Sequence, residues 1–358
     1  MNATPNVRAA ERNTLSLENR LNNWPKISVV VPIRNEARFI AQTIQYLLDQ
    51  DYPEDKVEIL VAVGDSEDNT AEIVQDIARR DQRVKYFHNP QQWSSSARNI
   101  GARNATGDIV TYVDGHTYID NDQLFKSVAK ALDEQDVKVL SRPQFLETPE
   151  NDHFQRAVAL ARKSPVGHGL DSTIYTDKDL IVNPTSSGAT YKKEVFDTVG
   201  YYDENFDACE DVEFNFRVAQ AGFQSFTSLS LAVYYYPRDS ISRLFQQMKR
   251  YGVGRYRLFK KHPSSLGFGT LIPFLFTVGM PLLAILSFVH PAFFYLFLLG
   301  AAPYTLMVLA ASVAICLKHG WSYFPLLPPI FLTIHTGLGY GFFVELLRTL
   351  LGGKPPQR

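Results

Sequence analysis

The chain carries two kinds of hydrophobic patterning in succession. In its first third, short continuous apolar runs alternate with stretches of helical spacing. Residues 27–31 form an apolar, largely β-branched run ending at Pro32, and residues 57–63 a second, closed by Gly64-Asp65-Ser66. Residues 84–87, Val-Lys-Tyr-Phe, read as a third, shorter strand, and residues 109–113 as a fourth. Mostly apolar runs of this length predict buried strands of a parallel sheet. Between them, residues 38–49, 69–80 and 95–104 read as helices, the first with Ile40, Ile44, Leu47 and Leu48 on its apolar side. Strands alternating with helices predict right-handed βαβ units. No Gly-x-Gly-x-x-Gly follows the first strand, which disfavours a dinucleotide site.

Beyond residue 120 the alternation weakens. Residues 124–134, 154–163 and 210–221 read as helices, 137–140 and 224–229 as strands, and 184–188 as a small-residue loop. Residues 241–261 are amphipathic and basic, with Arg243, Lys249, Arg250, Arg255, Arg257, Lys260 and Lys261 set among Phe245, Met248, Tyr251 and Tyr256. Such a segment suits an anionic membrane surface. Apolar stretches follow at 268–289, 293–317 and 323–347. The first two are long enough to span a bilayer. The third contains Pro328-Pro329, His335 and three glycines, leaving open a broken span, a re-entrant hairpin or an interfacial segment.

Composition sharpens this division. The 358 residues carry a formal charge of -1, with none of the basic excess of a nucleic-acid binder. Between Pro263 and Val344, Lys318 is the one formally charged side chain. The mean hydropathy of -0.14 therefore averages over two solvents. The expected organisation is a tail over 1–25, an α/β domain over 26–236, a basic interfacial segment over 237–265, a membrane region over 266–350 and a tail over 351–358. Residues 1–24 lack the apolar centre of a secretory signal, so the charged domain is expected in the cytoplasm. Cys209 and Cys316 fall in different regions and are not expected to pair.

Polar chemistry collects where the strands end, which is where open α/β sheets bind ligands. Pro32, Arg34, Asn35 and Glu36 follow the first strand, and Asp65 the second. Arg98 lies in the first turns of a helix, favourable to phosphate. Asp114-Gly115-His116 ends the fourth strand, and a carboxylate and an imidazole on one turn can share a divalent cation. Glu210-Asp211 offers a candidate general base. Residues 183–189 with Lys192-Lys193 read as a candidate acceptor loop, and His168 as a turn histidine.

As an ordered set, Val31-Pro-Ile-Arg-Asn-Glu36, Gly64-Asp-Ser-Glu-Asp68, Ala97-Arg-Asn-Ile-Gly101, Asp114-Gly-His116 and Cys209-Glu-Asp211 resemble the family 2 glycosyltransferases. The Asp-Gly-His turn and the apolar tail most resemble the succinoglycan-type glucosyltransferases of exopolysaccharide synthesis. The resemblance implies a GT-A, Rossmann-like, mostly parallel sheet domain followed by membrane helices. It places Pro32, Arg34, Asn35, Glu36, Asp65, Arg98 and Asp114 around a nucleotide sugar. It makes Asp114 and His116 the ligands of Mn²⁺ or Mg²⁺, Asp211 the base and Glu210 its helper. Most members have a second aspartate at the position of His116, and the softer imidazole leans toward Mn²⁺. Gln247-Met-Lys-Arg250-Tyr251 resembles the Gln-x-x-Arg-Trp motif at the acceptor entrance of membrane polysaccharide synthases, with tyrosine for tryptophan. The implied activity is inverting transfer from a nucleotide donor, UDP-linked by expectation, to a polyprenyl-diphosphate-linked saccharide at the inner membrane. A polyprenyl-phosphate sugar synthase, a processive synthase and a catalytically silent sugar-nucleotide-binding scaffold stay open as alternatives.

Overall fold

A computed structural model of the protein describes residues 24–168 and 173–353; expectations for the outer tails lie outside these. Four strands, β1 (Ile27–Ile33), β2 (Val57–Gly64), β3 (Val84–Asn89) and β4 (Ile109–Tyr112), form the parallel half of the main sheet. Their side chains explain the arrangement. Val29, Val31, Ile59 and Val61 pack on one face and Val30, Leu60 and Val110 on the other, all with essentially no exposure. Burying a side chain of this size contributes about 2 kcal/mol, and only a strand covered on both faces does so at every position. Helices α1 (Ile40–Leu48), α2 (Thr70–Arg80) and α3 (Ser94–Asn104) connect these strands as their periodicity predicts.

The second half departs from pure parallel order. Its elements are β5 (Thr117–Tyr118), α4 (Leu124–Glu134), β6 (Val139–Ser141), β7 (Gln144–Phe145), α5 (His153–Lys163), α6 (Pro165–His168), β8 (Leu180–Val182) and β9 (Gly188–Lys192). After these come α7 (Glu194–Val199), α8 (Glu210–Gln220), β10 (Ser225–Thr227) and β11 (Val233–Tyr235). The sheet order is β3-β2-β1-β4-β9-β6-β10-β8, with β9 antiparallel to both β4 and β6. Gly188-Ala-Thr-Tyr-Lys192 is too small and polar to signal a strand, and its one large core residue is Tyr191. The candidate acceptor loop is therefore partly sheet, and Lys193 Nζ donates to the Ala105 carbonyl at 3.3 Å. A separate three-stranded sheet, β5-β11-β7, stands beyond the Asp-Gly-His turn.

The basic segment is one helix, α9 (Ile241–Lys261), and the apolar region is three: α10 (Phe268–Leu286), α11 (Pro291–His319) and α12 (Leu327–Leu350). All three are long and apolar enough to cross a membrane. The third apolar segment is unbroken. Its Pro328-Pro329 pair sits in the first turn, where a missing N–H leaves no bond unmade. Its glycines mark contact rather than breakage: a Cβ on Gly341 would stand 2.0 Å from the Lys249 carbonyl oxygen. Small residues let α9 and α12 approach to backbone contact. Arg257 of α9 fixes the seam, with Nε 2.8 Å from Glu345 of α12 and Nη1 2.5 Å from Asp207. Cys209 and Cys316 are both free thiols.

Candidate active site

The register of β1, β2 and β4 aligns the polar segments seen in the sequence. Ile33 pairs with Val63, so residues 34–36 and 64–66 leave the sheet side by side. Val30 pairs with Tyr112, which brings Asp114 level with Pro32. Arg34 Nε donates to the Asp65 carbonyl at 3.0 Å, and Asn35 Oδ1 accepts from the Glu67 amide at 2.8 Å. Asn35 adopts a left-handed φ of 56°, a conformation asparagine tolerates better than most residues. The Asp65 carboxylate is exposed and held by His88 Nε2 at 2.7 Å and Gln92 Nε2 at 2.9 Å. The hydrogen bonds from His88 and Gln92 keep Asp65 below the ordinary carboxylate range. His88 and Gln92 were not legible as site residues, since neither sits in a motif.

The second half of the site centres on Arg98. Its side chain is 11% exposed. Nη2 lies 3.2 Å from Asp114 Oδ1 and Nε 3.2 Å from Glu210 Oε1. The Tyr112 and Tyr202 rings enclose the guanidinium at 5.1 and 5.7 Å. One cation thus joins the turn after β4 to the start of α8. Asp211, next to Glu210, makes no ion pair among the described residues; its carboxylate accepts from the Val212 amide at 2.9 Å. Burial first, and then the neighbouring Glu210 charge, raise Asp211 above the ordinary aspartate value. Two adjacent carboxylates therefore differ: Glu210 is ion-paired with Arg98, and Asp211 has no such partner among the described residues and is raised.

His116 Nδ1 meets Glu36 Oε1 at 2.9 Å, tying the turn after β4 to the segment after β1. Burial opposes protonation of His116, but the Glu36 hydrogen bond and charge prevail and its value is raised. A carboxylate behind one ring nitrogen is the usual support of a metal-ligating imidazole, which then offers its other nitrogen as the donor. Asp114 has one oxygen on Arg98 and the other without a hydrogen bond to Arg98. Among the described residues no group of three or more His, Cys, Asp or Glu could hold a metal. The donor set fits a cation that takes most of its shell from substrate phosphates and water, as Mg²⁺ commonly does.

Gln247, Arg250 and Tyr251 lie on α9 beside the start of α8. Gln247 Nε2 is 3.5 Å from the Tyr251 hydroxyl, and Arg250 Nη2 donates to the Asp207 carbonyl at 3.1 Å. The Cys209 thiol is 3.7 Å from the Tyr251 carbonyl. The tertiary structure thus brings the motif of α9 to the helix bearing Asp211, which sequence separation concealed.

These residues stand at the strand ends of a mixed sheet with a GT-A-like α/β topology. Residues 28–200, just under half of the chain, match the model of glycosyl transferase family 2. It is similar along most of its length to the succinoglycan biosynthesis protein ExoA of Rhizobium meliloti (strain 1021), with 29% identity covering 89% of this chain and 94% of that one. It is also similar to the dolichyl N-acetyl-alpha-D-glucosaminyl phosphate 3-beta-D-2,3-diacetamido-2,3-dideoxy-beta-D-glucuronosyltransferase of Methanococcus voltae, with 23% identity covering 90% and 97%. In fold it resembles the mannosyltransferase PcManGT of Pyrobaculum calidifontis, solved with GDP-Man and Mn²⁺. That match has a TM-score of 0.58 and 18% identity, covering 93% of this chain and 89% of that one.

Proposed function

We propose that the protein is an inverting glycosyltransferase that moves a sugar from a nucleotide donor, UDP-linked, to a saccharide carried on a polyprenyl diphosphate. The observation that carries this reading is the unequal pair at the start of α8, in which Arg98 takes Glu210 and leaves Asp211 unpaired and basic. Asp65 and Asn35 bind the base and ribose, with Pro32 and Arg34 shaping the turn. Asp114 and His116 would hold Mn²⁺ or Mg²⁺, which would supply positive charge to the leaving diphosphate. Arg98 adds fixed charge at the same place. Asp211 takes the proton of an acceptor hydroxyl as its oxygen attacks the anomeric carbon and the bond to the diphosphate breaks. One displacement inverts the configuration. Similarity to a transferase named for a dolichyl-phosphate-linked acceptor supports the lipid-linked class of substrate.

The membrane helices fit an acceptor delivered from the bilayer. α10 and α11 form a hairpin whose tip, Phe288 and Val289, is exposed. α12 runs beside α9 from Gly337, near Phe245, to Glu345, paired with Arg257. Because α9 is basic along its length, α12 lies with it at the inner surface and only the hairpin crosses. This keeps both the catalytic domain and Arg348 on the cytoplasmic side of an inner membrane. The deciding experiment is Asp211→Asn assayed with purified full-length protein: transfer is lost and nucleotide binding is kept. Normal turnover would remove the base and with it the mechanism.

A further inference from the structure

A second cationic cluster stands between α5–α6 and α9, apart from Arg98. Arg162 near the end of α5 has its guanidinium 6.0 Å from the Tyr251 ring of α9 and within interaction range of the Tyr175 and Tyr251 hydroxyls. His168 at the end of α6 packs its ring edge-on to Tyr175 at 4.9 Å. Burial first, and then the charges of Arg162 and Arg255, push the His168 imidazole down to about 3, so it is neutral. Arg255, one turn beyond Tyr251, acts on His168 and also on the Cys209 thiol. A Cβ on Gly254 would fall 2.6 Å from the Ala208 carbonyl oxygen, so this turn of α9 rests against the residues that lead into Glu210-Asp211.

The other enclosed arginines of the molecule mostly have carboxylate partners. Arg98 has Asp114 and Glu210, Arg217 has Glu213, and Arg257 has Asp207 and Glu345. Among the described residues Arg162 and Arg255 have none, and their company is phenolic and neutral. Two partly buried guanidinium groups without a counter-charge, flanked by hydroxyl donors, complement a phosphate oxyanion. The wall of the cluster leads to α11 and α12: His335 Nε2 of α12 meets the Val166 carbonyl of α6 at 2.8 Å, and His335 Nδ1 meets the Tyr304 hydroxyl of α11 at 2.9 Å.

We propose that Arg162 and Arg255, framed by Tyr175, Tyr251 and His168, form the subsite for the phosphate or diphosphate of an isoprenoid-linked acceptor. The assignment rests on the transferase reading above and adds where the lipid's charged group sits. The group docks between α5–α6 and α9, its isoprenoid runs to α11 and α12, and the sugar beyond it reaches Asp211.

The test uses full-length protein in phosphatidylcholine nanodiscs, with farnesyl diphosphate as the probe and UDP binding measured on the same samples. Arg162→Gln and Arg255→Gln should each weaken farnesyl diphosphate at least about tenfold, as loss of one charge-assisted contact implies. UDP binding should stay near that of the parent, and Arg162→Lys should recover much of the loss. Farnesol should bind at least about tenfold more weakly than the diphosphate. Undiminished binding to both glutamine variants would overturn the subsite. So would phosphatidylglycerol competing as well as farnesyl diphosphate, which would make the cluster a general headgroup contact, or inorganic pyrophosphate binding as tightly, which would remove the isoprenoid. If the variants lose the probe as expected but the parent protein transfers no sugar with any donor, the subsite stands and the transferase reading falls.

Discussion

Replacing Asp211 by asparagine separates chemistry from folding, because the structure gives the two effects opposite signs. The substitution keeps shape and the bond from the Val212 amide while removing the proton acceptor. General-base catalysis is worth roughly 10²- to 10⁴-fold, so the rate of transfer should fall by that factor, equivalent to about 3–5 kcal/mol of activation free energy. Stability should not fall with it. Burial and Glu210 raise Asp211, so its charged form is less favourable folded than unfolded. A carboxyl raised in the native state binds its proton more tightly there, so it costs stability once pH climbs above the unfolded value. Asparagine removes that cost, and the melting temperature at neutral pH should hold or rise. In the parent enzyme the base must be ionised, so activity should fall with decreasing pH through a value above the ordinary aspartate range. The assay is transfer to a polyprenyl-diphosphate saccharide in nanodiscs, beside thermal unfolding and UDP binding of the same preparation. A loss of less than about tenfold would refute the base assignment. A parallel collapse of melting temperature and UDP binding would show that Asp211 is structural instead.

Arg98→Ala strands the Asp114 and Glu210 carboxylates, and should cost about 3 kcal/mol, the lower end for a broken buried pair because Asp114 is one-third exposed. Adding Glu210→Gln should restore part of that stability by calorimetry, and no gain in the double variant would contradict the shared ion pair. Gly341→Val forces a side chain into the Lys249 carbonyl at the α9–α12 seam and should destabilise the protein by about 1–3 kcal/mol, read as lower thermal stability in detergent. An unchanged melting curve would mean that the two helices are not in backbone contact. For topology, a cysteine at Val289 should react with an impermeant maleimide from outside the cell, whereas one at Leu351 should react only after the membrane is opened. Labelling of both from outside would make α12 a third span.

The strand ends were readable because their chemistry is local. A β-branched run that stops at a polar turn states both the strand and the place where its ligand groups emerge, and β1, β2 and β4 form as that pattern predicts. The basic helix α9 was equally legible, since its charge and apolar faces depend only on spacing along one element. β9 was not, because a small, polar strand is stabilised by the neighbours β4 and β6 rather than by its own pattern. The unbroken α12 was also hidden, since its glycines read as breaks until α9 lies against them. Sequence alone therefore determined the division into a charged α/β domain and an apolar region, and the residue types at the site. Tertiary structure decided which carboxylates Arg98 pairs with, which residues hold Asp65, and that Arg162 stands beside Tyr251. Those are pairings across long separations of chain, and a charge acquires its partner, and its proton affinity, only when folding brings the other charge within a few ångströms.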